Sequence, residues 1–271
     1  MGVSVKNVVH NEEQLLLLER TRLEHPIEVF IKINTGMNRL GIPLKDVVKT
    51  VERLNNCPSV AVLRLMTHFA RADEDYGIEK PLAQFNAACR GMPYPRSLAN
   101  SAGVVRYGEI GGEIVRPGIM LYGASPFPDE PAATIGLRPV MTLRSEIIAV
   151  QSLEPGATVG YGGSYTATRA GRIGVVACGY ADGYPRHAPY GTPILVQGKR
   201  ARLAGRVSMD MLTVDLTRVP EASTGNDVVL WGEGLPVDDV ATAAGTVGYQ
   251  LLCAVTQRVP FALRDGGAAA D

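Results

Sequence analysis

The sequence predicts an α/β chain in which part of a parallel (β/α)8 barrel is followed by a mostly antiparallel β domain. Three observations lead there. β-prone runs alternate with helically spaced runs through the first half, short β runs divided by Gly and Pro fill the stretch beyond residue 137, and 30 Gly with 18 Pro in 271 residues imply many tight connections. The first domain is placed at 1–130 and the second at 131–271, the junction falling within 126–137.

Taken in order, Asn11-Glu12-Glu13-Gln14 ahead of a leucine run supplies an N-cap, an acidic first turn and a capping Gln, so a helix starts there and ends before Pro26. Residues 27–33 are β-prone, 44–55 carry apolar side chains at 44, 47, 48, 51 and 54, and 59–66 are β-prone again, which reads as strand, helix, strand. A helix around 78–90 precedes β residues at 97–100, and a last short strand reaches Arg116-Pro117-Gly118. The count is about four strands against the eight of a closed parallel barrel, and the half begins on a helix rather than a strand. In the second half the β runs are 141–153, 173–178, 194–196, 202–204, 207–216 and 228–231, forming a barrel or a sandwich, with one helix at 237–244 and a disordered GGAAAD tail.

Composition narrows the partners. Lys plus Arg and Asp plus Glu both total 27, so no charge excess points to nucleic acid or an anionic membrane. The longest apolar run near the N-terminus is 15–18, far short of a signal peptide or a membrane span. Cys57, Cys89, Cys178 and Cys253 are scattered, without CxxC or paired His at ligand spacing, so neither a metal site nor a disulfide framework is expected. A soluble cytoplasmic protein with reduced thiols and a small-molecule substrate or protein partner is the reading.

Ligands of parallel α/β sheets sit at the C-terminal ends of the strands. That singles out residues 32–39, Thr67-His68, Asn100-Ser101 and Arg116-Pro117-Gly118-Ile119. Each also has an ordinary reading: His68 as a hydrogen-bonded structural histidine, Ser101 as a helix cap instead of a phosphate contact, Arg116 as a surface arginine in a turn. In the second half Tyr161, Tyr180, Tyr184 and Tyr249 lie in Gly-rich turns, as exposed rings, proton-transfer groups or turn packing.

Read in sequence, IKINTGMNRLGI, MTHFARADE, SLANSAG, VRPGIMLYGASP, LRPVMTLRSEI, VGYGGSY, GYADGYPR, GRVSMDM and GTVGYQLLC resemble the alanine racemases over nearly the whole chain. The resemblance implies an isomerase that uses pyridoxal 5'-phosphate to interconvert L- and D-alanine, supplying D-alanine for peptidoglycan, on a (β/α)8 barrel with a β-rich C-terminal domain. It implies that Arg116 faces the pyridine nitrogen; a guanidinium can only donate and disfavours protonation there. His68 would bond Arg116 and lie near the catalytic tyrosine, Arg39 would meet the phenolic oxygen and the substrate carboxylate, and Lys32, carbamylated in some members, would hold Arg39. Ser101, the Gly118 and Ile119 backbone and Tyr249 would bind the phosphate. Tyr161 matches the base that takes the α-proton of L-alanine; because a phenol titrates near pH ~10 in water, that role calls for cations such as Arg116 and His68 beside it. Met209 and Asp210 match a loop whose backbone helps bind carboxylate. Tyr161, Met209 and Asp210 would come from the other subunit of a homodimer with shared active sites, Tyr180 with Tyr249 would narrow the entrance, and Asp73, Arg186 and Arg206 match its outer polar ring, although surface salt bridges explain those three as well.

One departure accompanies these matches. The family's second base is the Schiff-base lysine, in a VKANAYGHG-like segment after the first barrel strand. The lysines here are 6, 32, 45, 49, 80 and 199, none in that context. The chain begins where the middle of the family barrel begins, so it is expected to be inactive alone and poorly soluble, with an open sheet edge. A non-catalytic remnant, or a partner subunit of a full-length racemase, is the alternative reading, and a racemase for another small amino acid is a third.

Overall fold

A computed structural model describes residues 6–110 and 112–264; the GGAAAD tail lies outside the described residues. The chain divides into two compact units, Met1–Leu121 with Pro126–Glu130 and Tyr122–Ser125 with Pro131–Asp271.

The first unit is built on a parallel sheet of β1 (Lys6–Val9), β2 (Ile27–Lys32), β3 (Val60–Met66) and β4 (Arg96–Ser97), in that spatial order. Helices α1 (Glu12–Arg20), α2 (Val47–Asn55) and α3 (Glu79–Ala88) connect successive strands, as parallel pairing demands. The predicted cap is in place: Asn11 Oδ1 accepts from Gln14 N at 2.9 Å, and Gln14 Oε1 accepts from His10 N at 2.9 Å. Val29, Phe30 and Ile31 are consecutive and all buried, the mark of a strand covered on both faces. Val47, Val51 and Leu54 form the buried stripe of α2.

Two expectations change here. The half begins on β1, not on a helix; KNVV becomes a strand by pairing Val9 with Ile31 of the next strand, a tertiary effect that four residues cannot announce. The strand expected to end at Arg116 does not form. Residues 114 and 116 instead donate to Arg96 O and Ala99 O, at 3.2 and 2.9 Å, an irregular spacing followed by Pro117, which has no N–H to extend a ladder.

The second unit contains a closed antiparallel barrel. Its strands are β5 (Leu143–Leu153), β8 (Gly171–Val176), β9 (Pro193–Val196), β10 (Lys199–Leu203), β11 (Leu212–Asp215) and β12 (Asp227–Trp231), ordered β10-β11-β8-β5-β12-β9 and closing back on β10. Closure leaves no free edge, and Ile147, Val176, Ile194, Leu203, Val214 and Leu230 fill the interior. A small ribbon of β6 (Thr158–Val159) and β7 (Tyr165–Thr166) stands outside the barrel with residues 160–164 at its tip. Helix α5 (Val237–Ala243) falls where the sequence placed one; α6 (Gly248–Ala254) was not anticipated.

Candidate active site

Parallel register brings the chemistry of the first unit together. Lys32 pairs with Met66 and Met66 with Ser97, so the β2, β3 and β4 strand ends lie level and Lys32, Thr67-His68 and Ser97 leave the sheet at one edge. Beyond β2, the 34–42 loop is tied to itself. Asn34 Oδ1 accepts from Gly36 N and Asn38 N, both at 3.1 Å, and Ile42 N returns to Lys32 O at 2.7 Å. Gly41, at φ +136°, closes the loop where a Cβ would come within 2.7 Å of Asn34 N. This loop carries the exposed Arg39.

Arg116 is locked by four acceptors. Its Nη1 donates to Ser97 O and Ser97 Oγ at 2.8 and 2.7 Å, and its Nη2 to Thr67 O at 2.6 Å and, more weakly, to Leu98 O at 3.4 Å. The fifth donor, Nε–H, has no acceptor among the described residues. Thr67 is fixed in turn, its hydroxyl donating to Ile33 O at 2.9 Å, which leaves the Thr35 hydroxyl as donor in the 2.6 Å contact between the two threonines.

Nearby, Asn100 caps the short helix α4 (Ser101–Tyr107) by accepting from Gly103 N at 3.0 Å, so the cap is Asn100 and the buried Ser101 hydroxyl is free for another task. Its Oγ accepts from Gly118 N at 2.8 Å and from Met120 N at 3.5 Å, while its own hydrogen has no acceptor among the described residues. A Cβ at Gly118 would stand 3.9 Å from this oxygen, in the notch between the two. Ile119 is buried behind it.

The electrostatics correct the expectation for His68. Burial, then the positive charges of Arg116, Lys32 and Arg39, lower its pKa from 6.5 to about 4, so His68 is neutral near pH 7 and supplies no positive charge. Nor does it bond Arg116, whose Nη donors are taken by the strand-end acceptors. Burial lowers the Lys32 pKa as well, with Arg39 and Arg116 adding to the effect. As an ammonium, Lys32 would repel Arg39 rather than hold it. Lys32, Arg39 and Arg116 make no ion pair with a carboxylate among the described residues, so the strand ends present three cations where an anion would be welcome. A cavity of about 510 Å3 opens beside His68, between the 34–38 loop and Arg71; Asp73 is half-buried just past it in sequence.

The second unit displays the remaining candidates. Tyr161, 72% exposed, sits at the tip of the β6–β7 ribbon. The Arg206 guanidinium lies within 3.8 Å of where a Cβ would stand on Gly162. Arg186 stacks on Tyr180, 6.0 Å from its ring centre, and Arg186 and Arg206 share a cavity of about 440 Å3. The Tyr180 and Met209 loops are stitched together: Tyr180 N donates to Ser208 O at 3.0 Å and Ala181 N to Met209 O at 2.9 Å. Only glycine permits this approach, since a Cβ on residue 179 would be 2.2 Å from Met209 O. Met209 is exposed, the Asp210 carboxylate accepts from Arg258 at 2.6 Å, and Tyr249 is half-exposed on α6. Sequence reasoning missed Ser97 and Arg258. Small hydroxyl residues at β-run ends could have signalled the first; the second has no local signal, being 48 residues from its partner.

Comparison with known proteins finds relatives over both units. Residues 3–126 match the alanine racemase N-terminal domain and residues 140–263 the alanine racemase C-terminal domain. An alanine racemase of Thiobacillus denitrificans is 57% identical over 254 residues, 94% of this chain and 69% of that protein. The crystal structure of the biosynthetic alanine racemase from Pseudomonas aeruginosa superposes with a TM-score of 0.91 at 47% identity, over 95% of this chain and 72% of the other. That of alanine racemase from Bartonella henselae, with covalently bound pyridoxal phosphate, does so with a TM-score of 0.78 at 26% identity, over 91% and 68%.

Proposed function

The chain belongs to the alanine racemase family, and from that membership we propose that it serves the interconversion of L- and D-alanine with pyridoxal 5'-phosphate, its first unit holding the cofactor. The observation that carries the reading is Arg116: four acceptors fix its plane and one N–H is left to donate.

The donors fit the group. Arg116 Nε–H suits a ring nitrogen, which accepts one bond, and a guanidinium keeps its proton, so it withholds a full positive charge from that nitrogen. Ser101 Oγ–H and the Ile119 backbone suit the phosphate, and Gly118 N–H joins them by exchanging its bond to Ser101 Oγ for one to a phosphate oxygen. When bound, the cofactor acidifies the α-C–H of an attached amino acid by spreading the developing charge over its ring. Arg39 holds the substrate carboxylate and the phenolic oxygen. Lys32 supports Arg39 only once its amine is neutral or carries a carbamate, and its lowered pKa makes the neutral amine more available. His68, neutral, lines the site without adding charge.

Tyr161 accepts the α-proton on one face of the substrate, and we assign it, with the Met209 and Asp210 backbone, to the site of a second copy in a homodimer. Tyr180, Arg186 and Arg206 of the second unit serve the entrance. The opposite face needs a second base, and none of the six lysines of these 271 residues stands in the family's context for it. The 271 residues by themselves are therefore expected to give no turnover unless a lysine is supplied from outside them. Among the described residues no helix is long and apolar enough to cross a membrane, and the free cysteines suit a reducing cytoplasm.

The test is complementation. The chain alone with cofactor and L-alanine should give no D-alanine above the cofactor control. Mixed with the Thiobacillus relative bearing Phe at the tyrosine that corresponds to Tyr161, it should restore racemisation, and Tyr161→Phe in this chain should abolish the rescue. Turnover by the chain alone would refute the need for an outside lysine; a silent mixture would refute the shared site.

A further inference from the structure

The β barrel of the second unit carries a cavity of about 340 Å3 that the foregoing reaction does not use. Arg169, Arg172, Arg202 and Arg218 line it. Elsewhere Arg53, Arg64, Arg144, Arg200 and Arg258 are paired with carboxylates, but among the described residues none of these four is. Asp215 also lines the cavity, directly opposite Arg202 in the β10–β11 ladder, yet the two form no ion pair, and Asp215 Oδ1 accepts from Thr217 N at 2.8 Å. Arg172 is pinned by the carbonyls of Pro220 and Ala222, the latter at 2.9 Å. Four arginines thus line a cavity that holds one carboxylate, in a chain of zero net charge. A cavity so lined favours an anion.

The wall between them is aromatic. The rings of Tyr165 and Tyr190 stand 5.2 Å apart at 48°, and neither hydroxyl has a hydrogen-bond partner among the described residues. Burial, then Asp215 and Tyr190, raise the Tyr165 pKa, so its hydroxyl stays protonated and can donate.

We propose that this cavity is a second ligand site, for a small aromatic or heteroaromatic phosphate: the guanidiniums fork onto the phosphate oxygens and the tyrosines receive the ring. A phosphate dianion offers enough lone pairs for several guanidiniums, which a single carboxylate does not, and the volume lies at the small end of organic ligand sites.

Calorimetric titration of the whole chain with phenyl phosphate, and separately with inorganic phosphate, tests it. With Ser101→Ala introduced so that the first unit's phosphate donors contribute little, one saturable site is expected, with phenyl phosphate bound at least roughly threefold tighter. Arg202→Gln with Arg218→Gln, both exposed and unpaired, should weaken either ligand by roughly tenfold or more, and Tyr190→Leu should erase the preference for the ring while leaving phosphate binding. Arg218→Gln alone serves should the double variant unfold. Absence of saturation, or equal affinity in the arginine variant, would overturn the proposal. So would concentration-dependent self-association that the arginine variant abolishes, since the cavity would then hold an acidic segment of a second copy.

Discussion

Truncating Arg116 would strand Thr67 O and the hydroxyl of Ser97, a residue with no exposed surface, while Ser97 O keeps the Thr67 N–H at 3.2 Å. Each buried acceptor left unpaired costs about 1–3 kcal/mol, so Arg116→Ala should lower urea stability by about 2–4 kcal/mol before any cofactor is considered, and Arg116→Lys, which reaches fewer of them, should recover only part. His68 gives a second prediction. Its folded pKa of about 4 lies below the value of 6.5 it has when unfolded, so between these values the unfolded chain binds the extra proton. Stability attributed to His68 is complete above pH 6.5 and is lost as pH falls toward 4. The urea midpoint of wild type should drop through that window more than that of His68→Asn; parallel curves would contradict the assignment. Arg116 was legible in the sequence because it heads a Pro-Gly break after an extended run. The neutrality of His68 was not, because the burial that mainly imposes it, and the cations of β2, the 34–42 loop and residue 116 that add to it, arise only in the fold.

Among elements, the long strands and capped helices could be read directly: an Asn cap, a buried apolar triplet and a stripe at helical spacing are local properties. β1 and α6 could not, since four residues and seven residues become regular through their neighbours. The same holds for the stitched loops at 179–182 and 208–211. There Gly179→Ala would place a methyl group 2.2 Å from Met209 O, and relief requires the loops to part. The expected cost is about 2–3 kcal/mol in unfolding, with faster amide exchange at Tyr180 and Ala181 in particular; retention of wild-type protection at both would show that the pairing is not what holds the loops.

For the molecule as a whole, of four free cysteines only Cys253 is exposed, while burial pushes the Cys89 and Cys178 thiols up to about 11 and about 12. A disulfide reagent should therefore label one thiol quickly in the native protein and all four in denaturant. The largest claim is that the first unit is a cofactor cradle whose donors await a phosphate and a ring nitrogen. Calorimetric titration with pyridoxal 5'-phosphate, in the Arg202→Gln/Arg218→Gln background so that the barrel cavity contributes nothing, addresses it directly. Saturable binding, weakened roughly tenfold by Ser101→Ala and further by Arg116→Ala, is the expected result; no saturation, or affinity indifferent to both substitutions, would contradict it.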